Sequence, residues 1–341
     1  MLNTVYRLVA PGRFEVEFSD IVLCDDTAIV RPTHLSICHA DQRYYQGLSP
    51  PEVMEKKLPM ALIHEAIGEV VWDGSGKFSP GTRVVMVPNT PVEKDDVIAE
   101  NYLRSSRFRS SGYDGFMQDL VDMKTSRLLA VDENIDPIVA AFTELVSVST
   151  HAVRRLFKLS HERRDHIGIW GDGNLGYLSA LVVKHMFPEI HLTVFGMSRS
   201  KLADFSFADE TFTVAEVPGD IVIDHAVECV GGEGTRSAID QIIDVIEPEG
   251  TISLLGVSEN PVAINTRMIL EKGLRLFGSS RSGVEDFKTT LKLYEQNPDL
   301  VGELSRIVGN VVNVRTIDDM VRAFELDRQS SFGKTVMVWE K

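Results

Sequence analysis

The clearest hydrophobic pattern lies between residues 166 and 278, where short apolar runs alternate with stretches of helical period. Apolar runs at 167–170, 192–195, 221–230, 251–257 and 274–278 read as buried strands. The stretch 177–187 carries Leu178, Leu181, Val182 and Met186 on one helical face. Strands alternating with helices predict an α/β fold with a doubly wound parallel sheet. The first 135 residues read differently. Short apolar runs at 27–31, 68–71 and 83–87 sit between turn signals such as Pro11-Gly12, Asp73-Gly74 and Pro80-Gly81, so this region is expected to be β-rich. Asp136-Pro137 reads as an N-cap and first helical residue, opening a helix over 138–159. A second amphipathic helix is expected over 284–294, followed by short final elements.

The turn between the first strand and helix of the alternating region carries the first chemistry. Residues 168–176 read Gly-Ile-Trp-Gly-Asp-Gly-Asn-Leu-Gly. A G-x-G-x-x-G between strand and helix is the dinucleotide fingerprint, here Gly171, Gly173, Asn174, Leu175 and Gly176. Gly171 is assigned the tight turn, Gly173 the backbone approach to a pyrophosphate, and Gly176 the close packing of helix on strand. Free N–H groups at the helix start favour the anion. After the second strand no acidic residue follows Phe195, where NAD-binding folds place one for the ribose hydroxyls. Ser198, Arg199 and Lys201 stand there instead, and a hydroxyl with two cations suits a 2′-phosphate, so NADP(H) is expected. The alternative is a solvated helix start with ordinary surface charges.

Composition bounds the rest. The 341 residues, 43% of them hydrophobic, suit about two globular domains. No apolar run reaches the roughly 18 residues that span a bilayer, and the N-terminus lacks a signal-peptide layout. Three scattered cysteines, Cys24, Cys38 and Cys229, make no disulfide framework, which points to the cytoplasm. A net charge of −15 argues against nucleic acid or an anionic membrane as partner. Any phosphate-bearing ligand then needs a local basic pocket.

Cys38, His64, Glu65 and Glu144 offer a thiolate, an imidazole and carboxylates, the ligand types of a catalytic zinc with an open position. Spacing alone leaves this even with the plain alternative: a core cysteine, a surface His-Glu pair and a solvated glutamate. His151, in an apolar helical run, reads as a core histidine, and Cys24 and Cys229 read as packing.

Nearly the whole chain resembles the zinc-dependent medium-chain dehydrogenase/reductase family. Residues 37–41, Ile-Cys-His-Ala-Asp, resemble its Cys-x-x-Asp ligand segment, and 63–70, Ile-His-Glu-Ala-Ile-Gly-Glu-Val, its Gly-His-Glu segment. Residues 81–84 and 112–116 match further landmarks, and 144–152 resemble the polyol-dehydrogenase segment in which a Glu replaces a ligand Cys. The resemblance implies a Rossmann domain over 139–284. It also implies a β-rich GroES-like catalytic domain, 1–138 plus 285–341, with the active site in the cleft between the two. It implies zinc on Cys38 and His64, with Glu144 and Glu65 completing or exchanging in the shell and Asp41 orienting His64. Two departures stand out. Ala40 replaces the family's small hydroxyl residue that relays a proton. The lobe 88–111 holds no cysteine, so one catalytic zinc per chain and no structural zinc are expected.

Segments 40–45, 88–91, 93–103, 108–112 and 278–283 are closer still to one bacterial subgroup, the ribulose-5-phosphate reductases (ribitol-5-phosphate dehydrogenases) that serve CDP-ribitol, teichoic acid and capsule synthesis. That resemblance implies a phosphorylated ketose as substrate, NADPH as reductant, a homo-oligomer (dimer or tetramer), and a ribitol-5-phosphate cytidylyltransferase as pathway partner. Arg43, Arg104, Arg107 and Arg109 are the candidates for substrate phosphate, Arg109 first and Arg43 second. Two alternatives stay open: a polyol dehydrogenase acting on an unphosphorylated sugar alcohol, and a non-catalytic nucleotide-binding member of the fold.

Overall fold

A computed structural model describes Met1–Lys341 and divides into two compact units, Met1–Glu144 with Ser282–Lys341, and Leu145–Arg281. The division falls in the first turn of the helix Thr143–Leu159.

The first unit is built on a seven-stranded sheet and a three-stranded sheet. In the larger, the strand Thr27–Ser36 lies centrally, antiparallel to Glu65–Asp73 on one side and to Lys334–Trp339 on the other. Lys334–Trp339 in turn runs parallel to Val308–Val314. Sequence-distant strands thus become neighbours, which brings residues 36, 65 and 334 to one end of the sheet. Leu8, Leu35, Met60, Phe116, Phe324 and Met337 fill the core beneath.

The second unit carries a six-stranded, all-parallel sheet. Across it the strands run Glu210–Thr213, His191–Gly196, His166–Trp170, Ile223–Glu228, Ile246–Leu254 and Arg275–Gly278, the doubly wound order 3-2-1-4-5-6. Five of the six follow from their apolar runs. Glu210–Thr213 does not: it is an edge strand reading Glu-Thr-Phe-Thr, with no buried residue.

The helix expected over 138–159 is two helices, Pro137–Ala140 and Thr143–Leu159. Asp136 caps the first as expected, its carboxylate accepting from the Ile138 N–H at 2.9 Å. Thr143 Oγ1 then donates to the Ala140 carbonyl at 2.8 Å, a local bond that competes with continuing the helix. No helix is long and apolar enough to cross a membrane.

Candidate active site

Cys38 stands at the N-cap of the short helix His39–Tyr45. Its N–H donates to Asp41 Oδ2 at 3.1 Å, while the Asp41 N–H returns to the Cys38 carbonyl at 3.0 Å. Asp41 is fully buried, and its other oxygen accepts from the Ile63 N–H at 3.0 Å and the Ser110 hydroxyl at 2.7 Å. That oxygen also lies 3.6 Å from His64 Nδ1, an electrostatic contact longer than a hydrogen bond. One carboxylate therefore ties the Cys38 turn to the backbone just before His64.

Ile63 is the strained member. It is a buried β-branched residue at φ +73°, a left-handed conformation such residues rarely adopt. It is held there by the Asp41 bond at its N–H and by the Phe116 N–H donating to its carbonyl at 2.8 Å. Gly115 completes the clamp: any Cβ there would lie 2.2 Å from the Ile63 oxygen. The strain sets the direction in which His64 and Glu65 leave the chain.

Ligand-capable atoms of Cys38, His64 and Glu65 all lie within 4.8 Å of one another. Lys334, 2% exposed, lies across from Glu65 with Nζ 3.0 and 2.9 Å from the two carboxylate oxygens. The same ammonium donates to the Ile37 carbonyl at 2.7 Å. No motif marked Lys334, because its role arises only when the last strand joins the sheet.

The electrostatics follow from burial and these contacts. Burial pushes the Cys38 thiol up, with His64 and Lys334 pulling against it. Burial would lower His64, but Asp41 and Cys38 override it and hold the imidazolium well above its ordinary range. Burial opposes the charged form of Lys334 as well, and Glu65 and Cys38 outweigh it, so the lysine is raised. Glu144 is buried but stands outside the tight trio. Burial pushes its carboxyl up to about 7, with the field of His64 opposing and that of Glu65 adding.

A half-buried thiol with a buried imidazole and carboxylate, converging within 4.8 Å, suits a zinc ion. His64 Nδ1 is buried without a hydrogen bond, as an imidazole intended for a ligand or a charge can be.

In the second unit the fingerprint has the expected strand–turn–helix setting, with the strand His166–Trp170 and the helix Asn174–Met186. Gly176 is obligatory, since a Cβ would lie 1.9 Å from the Gly171 carbonyl oxygen. A Cβ at Gly173 would meet nothing within 4 Å, so its backbone is open to a close-approaching ligand. Ser198 begins the short helix Arg199–Leu202. Arg199 is exposed and ion-paired with Glu216. An acid does reach this turn, from inside the fingerprint: Asp172 Oδ2 accepts from the Met197 and Ser198 N–H groups at 2.8 and 2.7 Å.

The candidate arginines separate by their contacts. Arg109 donates to the backbone carbonyls of Asp114 at 3.2 Å and Asp122 at 2.5 Å, bracing its own lobe. Arg107 lies 5.2 Å over the Tyr113 ring, and Arg104 is exposed. Arg43 is half-buried on the Cys38 helix. Beside that helix, Lys57 Nζ donates to the Tyr44 hydroxyl at 2.5 Å and to Ser111 Oγ at 3.1 Å. His151 and Cys229 are buried as expected. Cys24, read as packing, is exposed: it ends the apolar run Ile21-Val22-Leu23 in the segment joining Asp20 to Thr27, where Val22 and Leu23 are exposed as well.

Residues 24–133 match the alcohol dehydrogenase GroES-like domain, and residues 203–296 the zinc-binding dehydrogenase domain. The ribulose-5-phosphate reductase of Bacillus spizizenii is 55% identical over 340 residues, covering 100% of both chains. The chain belongs to the zinc-dependent medium-chain dehydrogenase/reductase family. Ribulose-5-phosphate reductase 1 of Staphylococcus aureus is 54% identical over 99% of each chain. Among solved structures, S. aureus TarJ in complex with NADPH superposes with a TM-score of 0.90, at 48% identity and complete coverage of both chains. The GroES-like and Rossmann architecture expected from the sequence is the fold of this family. Within it, the strain at Ile63 has a plain origin: Ile63 stands where the family segment has glycine, the residue that adopts positive φ freely.

Proposed function

We propose that this medium-chain dehydrogenase is a zinc- and NADPH-dependent ribulose-5-phosphate reductase, converting D-ribulose 5-phosphate to D-ribitol 5-phosphate. The observation that carries the reading is the 55% identity to a ribulose-5-phosphate reductase, unbroken over the full length of both chains.

Cys38 and His64 would hold one catalytic zinc, with Glu65 or Glu144 as the carboxylate ligand. When bound, zinc supplies Lewis-acid polarisation of the C2 carbonyl, and NADPH supplies the hydride. The chain's own residues do the rest. Asp41 orients His64 and fixes the Cys38 turn. Lys334 keeps Glu65 charge-compensated in a buried setting. Ala40 offers no hydroxyl, so proton delivery passes to a carboxyl. If Glu65 is the zinc ligand, Glu144, pushed up to about 7 by burial, is the carboxyl left to carry that proton. In the second unit Gly171, Gly173, Asn174, Leu175 and Gly176 would cradle the pyrophosphate. Ser198, Arg199 and Lys201 would take the 2′-phosphate. For the substrate phosphate Arg43 and Arg109 are the candidates, Arg43 on the Cys38 helix and Arg109 with donors that also brace the backbone of its lobe. The lobe 88–111 has no cysteine, so no four-cysteine structural zinc accompanies the catalytic one. A cytoplasmic homo-oligomer feeding a ribitol-5-phosphate cytidylyltransferase completes the proposal.

The test is NADPH oxidation measured against ribulose 5-phosphate, ribulose and xylulose, with metal content determined on the same preparation. Strong preference for the phosphorylated ketose is expected, with activity and zinc lost together in a folded Cys38→Ser variant. Equal turnover of ribulose would return the protein to the general polyol dehydrogenases. Full activity without zinc would remove the metal from the mechanism.

A further inference from the structure

The parallel sheet of the second unit carries another set of metal-capable side chains, on the edge away from the fingerprint. His166, His191 and Glu210 are the first residues of three neighbouring strands. The register makes them converge. His166 pairs with His191, and Thr193 pairs with Glu210. His191 and Thr193, two apart on one strand, share a face, so all four side chains point the same way.

We propose that His166, His191 and Glu210 form a second metal site, taking a divalent transition ion of the zinc class with water completing the shell. One ligand atom from each of the three lies within 4.8 Å of the others. His191 Nε2 and Glu210 Oε2 are 3.1 Å apart. Two ligands on a tetrahedral zinc with bonds of 2.0–2.1 Å are separated by about 3.3 Å, so this pair already spans nearly one edge of such a shell. The two imidazole centroids are 4.6 Å apart, with the ring planes at 89°. Thr193 Oγ1 lies between His166 and Glu210, 2.8 Å from His166 Nε2 and 3.5 Å from Glu210 Oε2, and supplies a hydroxyl beside the shell. His191 and Glu210 are 45% exposed, so an ion can enter from solvent.

This site is distinct from both sites already described. It contains no thiol, and none of its residues belongs to the first unit. His166 lies four residues before Trp170, about 13 Å along the strand from the fingerprint turn at roughly 3.3 Å per residue. Nucleotides bind beyond the carboxyl ends of such strands, the opposite edge. An ion here would clasp the edge strand Glu210–Thr213 to its neighbours. It adds an exchangeable metal to the single catalytic zinc proposed above, and its test does not depend on the substrate.

The experiment is calorimetric titration of zinc chloride into untagged, zinc-loaded protein, with His191→Ala and Glu210→Gln in parallel. Both positions are exposed, so both variants should fold. The wild type should bind one further equivalent per chain, and each variant should bind it about tenfold or more weakly. Cobalt entering this site should show no thiolate-to-metal charge-transfer band, which separates it from exchange at Cys38. Thermal stability should rise with zinc in the wild type only. Absence of a second equivalent, or equal affinity in wild type and both variants, overturns the proposal.

Discussion

Lys334 and Glu65, 269 residues apart, form a buried ion pair that fastens together the two segments carrying Cys38 and His64. The ammonium reaches the Ile37 carbonyl and both Glu65 oxygens, so the residue before one candidate ligand and the residue after the other share one cation. Lys334→Met keeps the apolar stem and removes the charge. It leaves a carboxylate that is 0% exposed without a partner, a change that costs about 3–5 kcal/mol when nothing else compensates. If Glu65 also binds zinc, the ion takes over part of that role. Urea unfolding should therefore show a larger loss for Lys334→Met in chelator-stripped protein than in zinc-loaded protein. Equal losses would place Glu65 outside the zinc shell and leave the carboxylate ligand to Glu144.

How far the chain could be read in advance depended on the range of the interaction involved. The fingerprint was legible because strand, turn and helix are local: the Gly176 contact with Gly171 involves residues five apart in sequence. Cys38, His64 and Asp41 were legible through their segments, although spacing alone did not bring them together. Lys334 was not legible, since its proximity to Glu65 comes from sheet order. The positive φ of Ile63 was also hidden, because an isoleucine gives no sign of left-handed backbone. The edge strand Glu210–Thr213 lacks the apolar run that marks its neighbours. Asp172 sits at a variable position of the fingerprint, so nothing indicated that its carboxylate would reach the Met197 turn.

Arg199 is ion-paired with Glu216 and largely exposed, so its charge is available to a cofactor phosphate only by sharing or exchange. Arg199→Ala should weaken NADPH binding by about 1–3 kcal/mol, the scale of a lost charge-assisted hydrogen bond, and leave NADH nearly unaffected. Glu216→Gln should act in the opposite direction on NADPH by freeing the guanidinium. Fluorescence titration of both cofactors checks this. Equal weakening of NADPH and NADH in Arg199→Ala would assign Arg199 to holding the turn.

Arg43 and Arg109 should fail in different ways. Arg109 donates to two backbone carbonyls of its own lobe, so Arg109→Ala should lower stability by about 1–2 kcal/mol and reduce activity on all substrates together. Arg43→Ala should instead raise KM for ribulose 5-phosphate far more than for ribulose, because the lost contact exists only with the phosphate. Steady-state kinetics on the two ketoses, with unfolding curves for both variants, separate the cases. An unchanged substrate ratio in Arg43→Ala would move the phosphate site elsewhere, with Lys57 the next residue to test.

The last prediction concerns pH and a buried histidine that is not itself a proposed ligand. His225 is fully buried, and its Nδ1 accepts from the Thr251 N–H at 3.1 Å. The His161 ring packs against it at 4.3 Å. Burial, with the positive fields of His161 and Arg164 outweighing Asp224, lowers its pKa to about 4. In the unfolded chain a histidine titrates near 6.5. Above about 6.5 both states are neutral and the group contributes nothing to the pH dependence. Between about 6.5 and 4 the unfolded chain takes up a proton that the folded chain refuses, so stability falls as pH falls across that window, by about 2–3 kcal/mol in total. Protonation at Nδ1 would also break the bond to Thr251, which opposes uptake in the folded state. His225→Gln keeps a side-chain acceptor for that N–H and removes the titration. Urea unfolding at pH 7.5, 6 and 5 should show a clearly steeper loss of stability in the wild type than in His225→Gln. Matching slopes for the two proteins would mean that His225 takes up its proton without unfolding, and that other groups carry the acid sensitivity.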